Sequence, residues 1–219
     1  MRFLNLTEIS RCLGPSLCKA LPGFHAFTGS DYTSAFFQKG KLKPFSYLSA
    51  SDEFQNAFAN LSEHRPGART LEVLKKFLCK LYKGKAKDTN INKLRFQTFF
   101  RTFGPSTCSK KPFDKMKGLD PKSIPPSQSE ILTHIARSAY VARMWANANK
   151  IEQELPTPND GWCHIQKATG EVFYDVQWFK GPQMPGELIQ HLPDEDQPLS
   201  DDEDIAVSSD DEEVYSEED

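Results

Sequence analysis

The sequence predicts a mainly helical protein that also contains one short strand and a small β-hairpin. Apolar residues recur every three or four positions in several segments between residues 5 and 151, which is the period of a helix packed on one side. Between residues 162 and 178 the apolar residues alternate instead, as in a hairpin. With 219 residues, 38% of them hydrophobic, the chain is long enough to bury a substantial core.

The N-terminal elements follow from a few local signals. Residues 5–20 predict a helix that breaks at Gly14-Pro15, because proline cannot continue a helix begun before it. The next segment, 22–28, predicts a short buried strand from the apolar residues Phe24, Ala26 and Phe27. Two short helices are expected from Tyr32 to about Ser49, on either side of Lys39-Gly40-Lys41.

Four longer helices should follow, at residues 52–61, 70–83, 91–103 and 127–151. The last has the best start signal, because Ser127 and Glu130 have the spacing of a capping box. The hairpin is predicted from the alternating residues Val172, Tyr174, Val176 and Trp178. A short helix is expected from Glu187 to His191.

Composition divides the chain into four parts. Residues 1–104 form the first helical region, and residues 105–126 read as a linker because they are rich in proline and lysine. Residues 127–192 hold the long helix and the hairpin. Residues 193–219 have the composition of a disordered acidic tail.

The formal net charge of −3 hides a strong asymmetry. Of the 30 acidic residues, 14 lie in residues 194–219, which hold no lysine or arginine. The remaining 16 stand against 27 lysines and arginines in residues 1–193, a net charge of +11. This favours a surface that binds polyanions and a tail that competes for it. A basic domain with a merely solvated tail explains the same charges equally well.

Several classes of protein are disfavoured. No run of 18 apolar residues exists, so a membrane span is not expected, and the first residues lack the apolar core of a signal peptide. We therefore expect an intracellular protein, nuclear or cytoplasmic. The five cysteines are scattered and are expected to be free thiols, and the three tryptophans are expected to be core residues.

Two features near the N-terminus carry candidate chemistry. Asp31 follows the predicted strand, where a carboxylate can hold Mg²⁺ or Mn²⁺. The alternative is an aspartate that caps a helix at Tyr32-Thr33 or bonds its own turn. A basic turn follows, in which backbone N–H groups and ammonium charges can bind phosphate: Lys39, Gly40, Lys41 and Lys43. A solvated turn is again the alternative. His25 is expected to be structural.

The segment His25 to Asp31, HAFTGSD, with its basic turn, resembles the last acidic motif of the PIN-like, flap-endonuclease superfamily. The wider pattern resembles a group of transposon-associated animal proteins, with matching pieces at Leu71 to Tyr82, Ile91 to Phe96, His134 to Trp145 and Leu155 to Trp162. The resemblance implies the C-terminal helical portion of a PIN-like α/β fold. It also implies that Asp31 is one of several carboxylates that hold two divalent metal ions.

In that superfamily the other carboxylates come from strands far upstream, whereas Asp31 lies near the start of this chain. We therefore expect a nucleic-acid-associated remnant without a complete catalytic site and without a bound metal. A metal-dependent nuclease, completed by a longer product or a partner chain, is the first alternative. An interaction protein whose acidic tail binds basic partners is the second.

The tail and the remaining lysines complete the candidate sites. Acidic residues follow four tail serines at the spacing of an acidophilic kinase acceptor: Ser200, Ser208, Ser209 and Ser216. Two further basic runs make a surface facing nucleic acid plausible: Lys75, Lys76, Lys80, Lys83, Lys85 and Lys87, and then Lys110, Lys111, Lys115 and Lys117.

Overall fold

Helices dominate the protein, as the sequence predicts. A computed structural model describes residues 4–84, 89–103, 121–152 and 156–178. Within these ranges there are seven α-helices: α1 Leu6–Leu13, α2 Pro15–Thr28, α3 Leu42–Ser49, α4 Asp52–Glu63, α5 Ala68–Leu81, α6 Ile91–Phe103 and α7 Gln128–Ala146. The sheet has two strands, β1 Trp162–Gln166 and β2 Val172–Val176, and single 3₁₀ turns lie at Pro121–Ser123 and Pro158–Asp160.

The break predicted at Gly14-Pro15 is confirmed. The Asn5 side chain caps α1 by accepting a hydrogen bond from the backbone N–H of Glu8. Gly14 ends α1 with φ of +79°, a conformation that residues with a Cβ rarely adopt. Pro15 then starts α2, where its missing N–H costs nothing.

The strand predicted over residues 22–28 is wrong, because these residues form the second half of α2. Phe24, Ala26 and Phe27 are all buried, since α2 packs against both α4 and α7. A helix buried on several sides has an almost continuous apolar sequence, which short windows cannot distinguish from a buried strand.

The centre of the core is a cluster of three phenylalanines from three helices. Phe27 of α2, Phe58 of α4 and Phe77 of α5 are each fully buried. Their rings pack edge to face, with centroids 5.5 Å apart for Phe27 and Phe58 and 5.0 Å apart for Phe58 and Phe77. This cluster fixes α2 against α4 and α5.

The two short helices expected from Tyr32 to Ser49 are only partly present. The single helix in this range is α3, and residues 29–41 form turns that include an isolated bridge between Ser30 and Thr33. The helix expected to start at Tyr32 is therefore absent. The Lys39-Gly40-Lys41 turn precedes one helix and does not join two.

The four longer helices lie where they are predicted. Ser51 caps α4, and Ser127 with Glu130 forms the full capping box of α7. The predicted end of α7 is the main difference, because the helix stops at Ala146 and turns follow it.

The predicted hairpin is confirmed, with β1 antiparallel to β2 and Trp162 paired with Val176. Its base is fixed to α7 by the buried side chain of Arg137. The Nη1 group of Arg137 donates to the carbonyl oxygens of Gln177, at 2.5 Å, and Gly161, at 3.4 Å. Gly161 lies so close to α7 that a Cβ there would be 2.7 Å from the Thr133 carbonyl oxygen.

All described residues belong to one compact unit. Cys12, Cys18 and Cys163 are free thiols, as predicted. No helix in the described ranges is both long and apolar enough to cross a bilayer. Four predictions lie wholly or mostly outside the described residues: most of the linker 105–126, the helix Glu187 to His191, the tail with its four serines, and the lysines at 85, 87 and 110–117.

Candidate functional site

Asp31 lies on an exposed turn directly after α2. The turn is closed by two backbone hydrogen bonds between Ser30 and Thr33, at 2.9 and 3.3 Å. The Thr33 hydroxyl donates to the Ala26 carbonyl at 2.5 Å, which satisfies one of the free carbonyls at the end of α2. The alternative role for Asp31, as a cap for a helix at Tyr32, is wrong because no helix starts there.

The described residues do not complete a metal site around Asp31. No group of three or more His, Cys, Asp or Glu side chains in these ranges is arranged to hold a metal ion. A two-metal nuclease needs several converging carboxylates. The role of Asp31 as a metal ligand stays a prediction that requires ligands from elsewhere.

Lys41 faces inward. Its ammonium group donates to the Gly29 carbonyl oxygen at 2.6 Å and to Nδ1 of His25. The His25 ring stacks on Trp145 of α7, with centroids 5.4 Å apart. Partial burial and the Lys41 charge lower the pKa of His25, while Asp31 acts in the opposite direction. Lys41 and His25 therefore fix the basic turn to the helices.

Three other lysines form what we call the lysine cluster: Lys39, Lys43 and Lys83. Partial burial lowers the pKa of Lys39, and repulsion from Lys83 and then Lys43 lowers it further. The Lys39 ammonium group lies 4.4 Å from the centre of the Tyr82 ring. None of the ion pairs within the described ranges includes a lysine of this cluster.

The backbone around the cluster adopts unusual conformations. Gln38, Gly40 and Lys83 all have positive φ, at +53°, +40° and +61°. Such values are uncommon for residues other than glycine, and the surrounding structure must hold them.

A cleft of about 730 Å³ lies beside the lysine cluster. One wall is the segment Ser34–Gln38, and the floor is the first half of α7. Its described lining includes the aromatic side chains Phe36, Phe37, Tyr82 and Trp178. It also includes the cations Arg95, Lys122 and Arg137, the carboxylate Glu130, and His134. Its volume lies within the range of ordinary ligand sites.

His134 contributes no positive charge to this cleft at neutral pH. Complete burial lowers its pKa to about 4, although the hydrogen bond to the Phe27 carbonyl acts in the opposite direction and Arg137 adds to the decrease. Because a carbonyl can only accept, Nε2 of the neutral ring donates to the Phe27 oxygen, at 2.8 Å. Among the described residues that line the cleft, the charged groups are therefore three cations and one carboxylate.

A second charged network lies behind the hairpin, around the buried carboxylate of Asp160. It accepts hydrogen bonds from Arg143 at 2.9 Å, from Arg65 at 3.3 Å, and from the hydroxyl and backbone N–H of Thr157. Burial alone would raise the pKa of Asp160, but these donors outweigh it and lower the pKa. The network joins the α4–α5 loop, α7 and the start of the hairpin.

The comparisons with known proteins found no relative of this chain. No protein family, curated protein or solved structure matches this chain.

The sequence identified the basic turn but missed the cleft. Trp178 was expected in the core, yet it is 58% exposed and lines the cleft. Arg137 is buried, and its contacts with the hairpin could not be anticipated because Gly161 and Gln177 lie 24 and 40 residues away. One sequence signal could have pointed to this site: an aromatic residue, Tyr82, stands directly before Lys83 at the end of a predicted helix.

Proposed function

We propose that the protein binds nucleic acid through the phosphate backbone, and that the lysine cluster is the main contact. The observation that carries this proposal is the position of the Lys39 ammonium group over the ring of Tyr82, the residue before Lys83, while no ion pair among the described residues includes a lysine of the cluster. Like charges held close together repel one another, and a polyanion relieves that repulsion. The net charge of +11 on residues 1–193 supports the same ligand class.

The structure changes which predicted residues we assign to this contact. Lys39 and Lys43 remain candidates, and Lys83 joins them. Lys41 acts instead as an anchor, because its ammonium group is already bonded to His25 and to the Gly29 carbonyl. Gly40, with φ of +40°, lies in the turn between Lys39 and Lys43.

A salt titration of the double variant Lys39→Ala/Lys43→Ala tests the proposal. Binding of a labelled oligonucleotide would be measured by fluorescence anisotropy from low to physiological salt. Each lost phosphate contact lowers the slope of log K against log salt by roughly 0.7 for a single strand and 0.9 for a duplex. We expect the slope to fall by about 1.4 for a single strand and about 1.8 for a duplex in the double variant.

Lys75→Ala/Lys76→Ala is the matched control, because it removes the same charge from lysines that already pair with Glu72 and Glu53. Equal slopes for the two double variants would overturn the proposal.

The PIN-like, flap-endonuclease-like origin remains a proposal that rests on sequence motifs alone. The same oligonucleotides, incubated with Mg²⁺ or Mn²⁺, test its catalytic form. Cleavage that disappears in Asp31→Ala would show that the chain acts as a nuclease and not only as a binding protein.

A further inference from the structure

The cleft beside the lysine cluster combines two kinds of surface that one class of ligand needs. Its lining is mainly aromatic and aliphatic, so it favours a flat apolar body. The described lining holds three cations and one carboxylate, so the cleft also favours a negatively charged group. The carboxylate is partly neutralised, because Glu130 accepts from the Ser127 N–H at 2.6 Å and lies 3.9 Å from Arg95.

The cations are fixed in place by the protein. The Arg95 side chain donates to the Pro125 carbonyl at 2.7 Å, which holds it beside the segment that leads into α7. Both hydrogen bonds that Arg137 makes to the described residues use Nη1, and they direct the guanidinium group toward the base of the hairpin. Lys122 lies with its ammonium group 5.7 Å from the centre of the Phe37 ring.

Trp178 is a suitable stacking surface. It is 58% exposed, and its ring lies 5.6 Å from the guanidinium carbon of Arg137. The Thr133 hydroxyl on α7 donates to the Trp178 carbonyl at 2.8 Å, so the backbone that carries the ring is held. An aromatic ring that is both held and exposed can stack on a base with little loss of entropy.

The lysine cluster and the cleft share one residue. The Tyr82 ring lines the cleft and also lies under the Lys39 ammonium group. A strand whose phosphates contact the cluster is therefore next to the cleft. Bases inside a duplex are stacked and paired, so only an unpaired nucleotide presents a free face.

We propose that this cleft binds one unpaired nucleotide, with its base against Trp178 and Phe37 and its phosphate against Lys122 and Arg95. A free nucleotide and a nucleotide within a strand present the same chemistry. Binding of a nucleotide within a strand rests on the proposed function, because the lysine cluster would hold the neighbouring phosphates of that strand.

The test compares binding of a labelled single strand, a matched duplex and adenosine monophosphate to variants of the cleft. Loss of one stacking partner in Trp178→Ala should weaken single-strand binding roughly 5- to 100-fold and reduce the preference over duplex. Lys122→Ala should weaken both the single strand and the mononucleotide, and Trp178→Phe should retain most of the affinity. Mononucleotide binding would be followed by quenching of tryptophan fluorescence.

The hairpin supplies matched controls, Phe173→Ala and Lys167→Ala. Phe173 is also an exposed ring beside a cation, with the Lys167 ammonium group 3.9 Å from its centre, but neither residue lines the cleft. These variants should bind like the wild type. Circular dichroism and urea midpoints would identify any variant that fails to fold.

The outcomes separate this inference from the proposed function. If Lys39→Ala/Lys43→Ala weakens binding but Trp178→Ala and Lys122→Ala do not, the cleft proposal is wrong and the proposed function stands. If no oligonucleotide binds but the mononucleotide quenches fluorescence in a Trp178-dependent way, the cleft binds free nucleotides and the proposed function fails. If neither ligand binds at low salt, both fail.

Discussion

Replacing Gly23 with alanine should destabilise the protein, although alanine is the better helix former. Gly23 lies inside α2, where this helix crosses α4. A Cβ at this position would lie 2.2 Å from the Phe58 carbonyl oxygen and 3.2 Å from Cβ of Leu61. The first contact is with backbone, so no side-chain rotation can relieve it.

The expected size follows from two opposing effects. An ordinary carbon–oxygen contact is more than 1 Å longer, so the two helices would have to separate and loosen the contacts of the phenylalanine cluster. Such overpacking costs typically 1–3 kcal/mol, and we expect about 3 kcal/mol here because the backbone must move. Alanine regains about 1 kcal/mol of helix propensity. The net loss in the free energy of unfolding is about 2 kcal/mol.

Urea unfolding followed by far-ultraviolet circular dichroism would measure this loss. With an m-value of about 2 kcal/mol/M, the midpoint should fall by about 1 M. Gly67→Ala is the control, because Gly67 has φ of −76° and a Cβ there would meet nothing within 4 Å. That variant should change stability by less than about 1 kcal/mol. Wild-type or higher stability for Gly23→Ala would refute the close crossing of α2 and α4.

Two further predictions concern charge. Because the folded-state pKa of His134 is about 4 and the unfolded value is about 6.5, stability should be complete above pH 6.5 and fall by about 3 kcal/mol as the pH drops to 4. His134→Gln should remove this part of the pH dependence of urea midpoints, and an unchanged pH profile would contradict it. Asp160→Asn should cost about 2–3 kcal/mol, since it leaves Arg143 without its buried partner. Glu8→Gln, which breaks an exposed pair, should cost under about 1 kcal/mol, and equal losses would argue against the Asp160 network.

The sequence predicted most of the helices because their start signals are local. The capping box of α7, the Ser51 cap of α4 and the Gly14-Pro15 break each depend on residues within four positions of one another. The hairpin was equally clear, since its alternation and its turn lie within 15 residues.

The failure at residues 22–28 has a non-local cause. Pro22 and Gly23 suggest a turn when read alone, yet the helix continues through both of them. It continues because Phe24 and Phe27 pack against α4 and α5, and because a residue without a Cβ fits the crossing with α4. Neither condition is visible in a window around residue 22.

The candidate site, too, could be predicted only where its residues are close in the sequence. The basic turn could be recognised because its lysines are neighbours in sequence. The cleft could not, because Phe37, Tyr82, Lys122 and Trp178 come from four separate segments. The bond between Lys41 and His25 could not be predicted either, because 16 residues separate them in the sequence.

The end of α2 has a consequence for how the protein forms during synthesis. Side chains of α7 bond two of its last carbonyls: His134 bonds the Phe27 oxygen across 107 residues, and Ser138 bonds the Ala26 oxygen across 112. A ribosome that adds about 5–20 residues per second needs roughly 5 to 20 seconds to cover this separation. Throughout that interval the nascent chain contains α2, and Thr33 can bond the Ala26 carbonyl, but the α7 side chain that bonds the Phe27 carbonyl has not yet been made. The bundle is therefore expected to close only after translation has passed α7, and until then the apolar surface of α2 is available to chaperones.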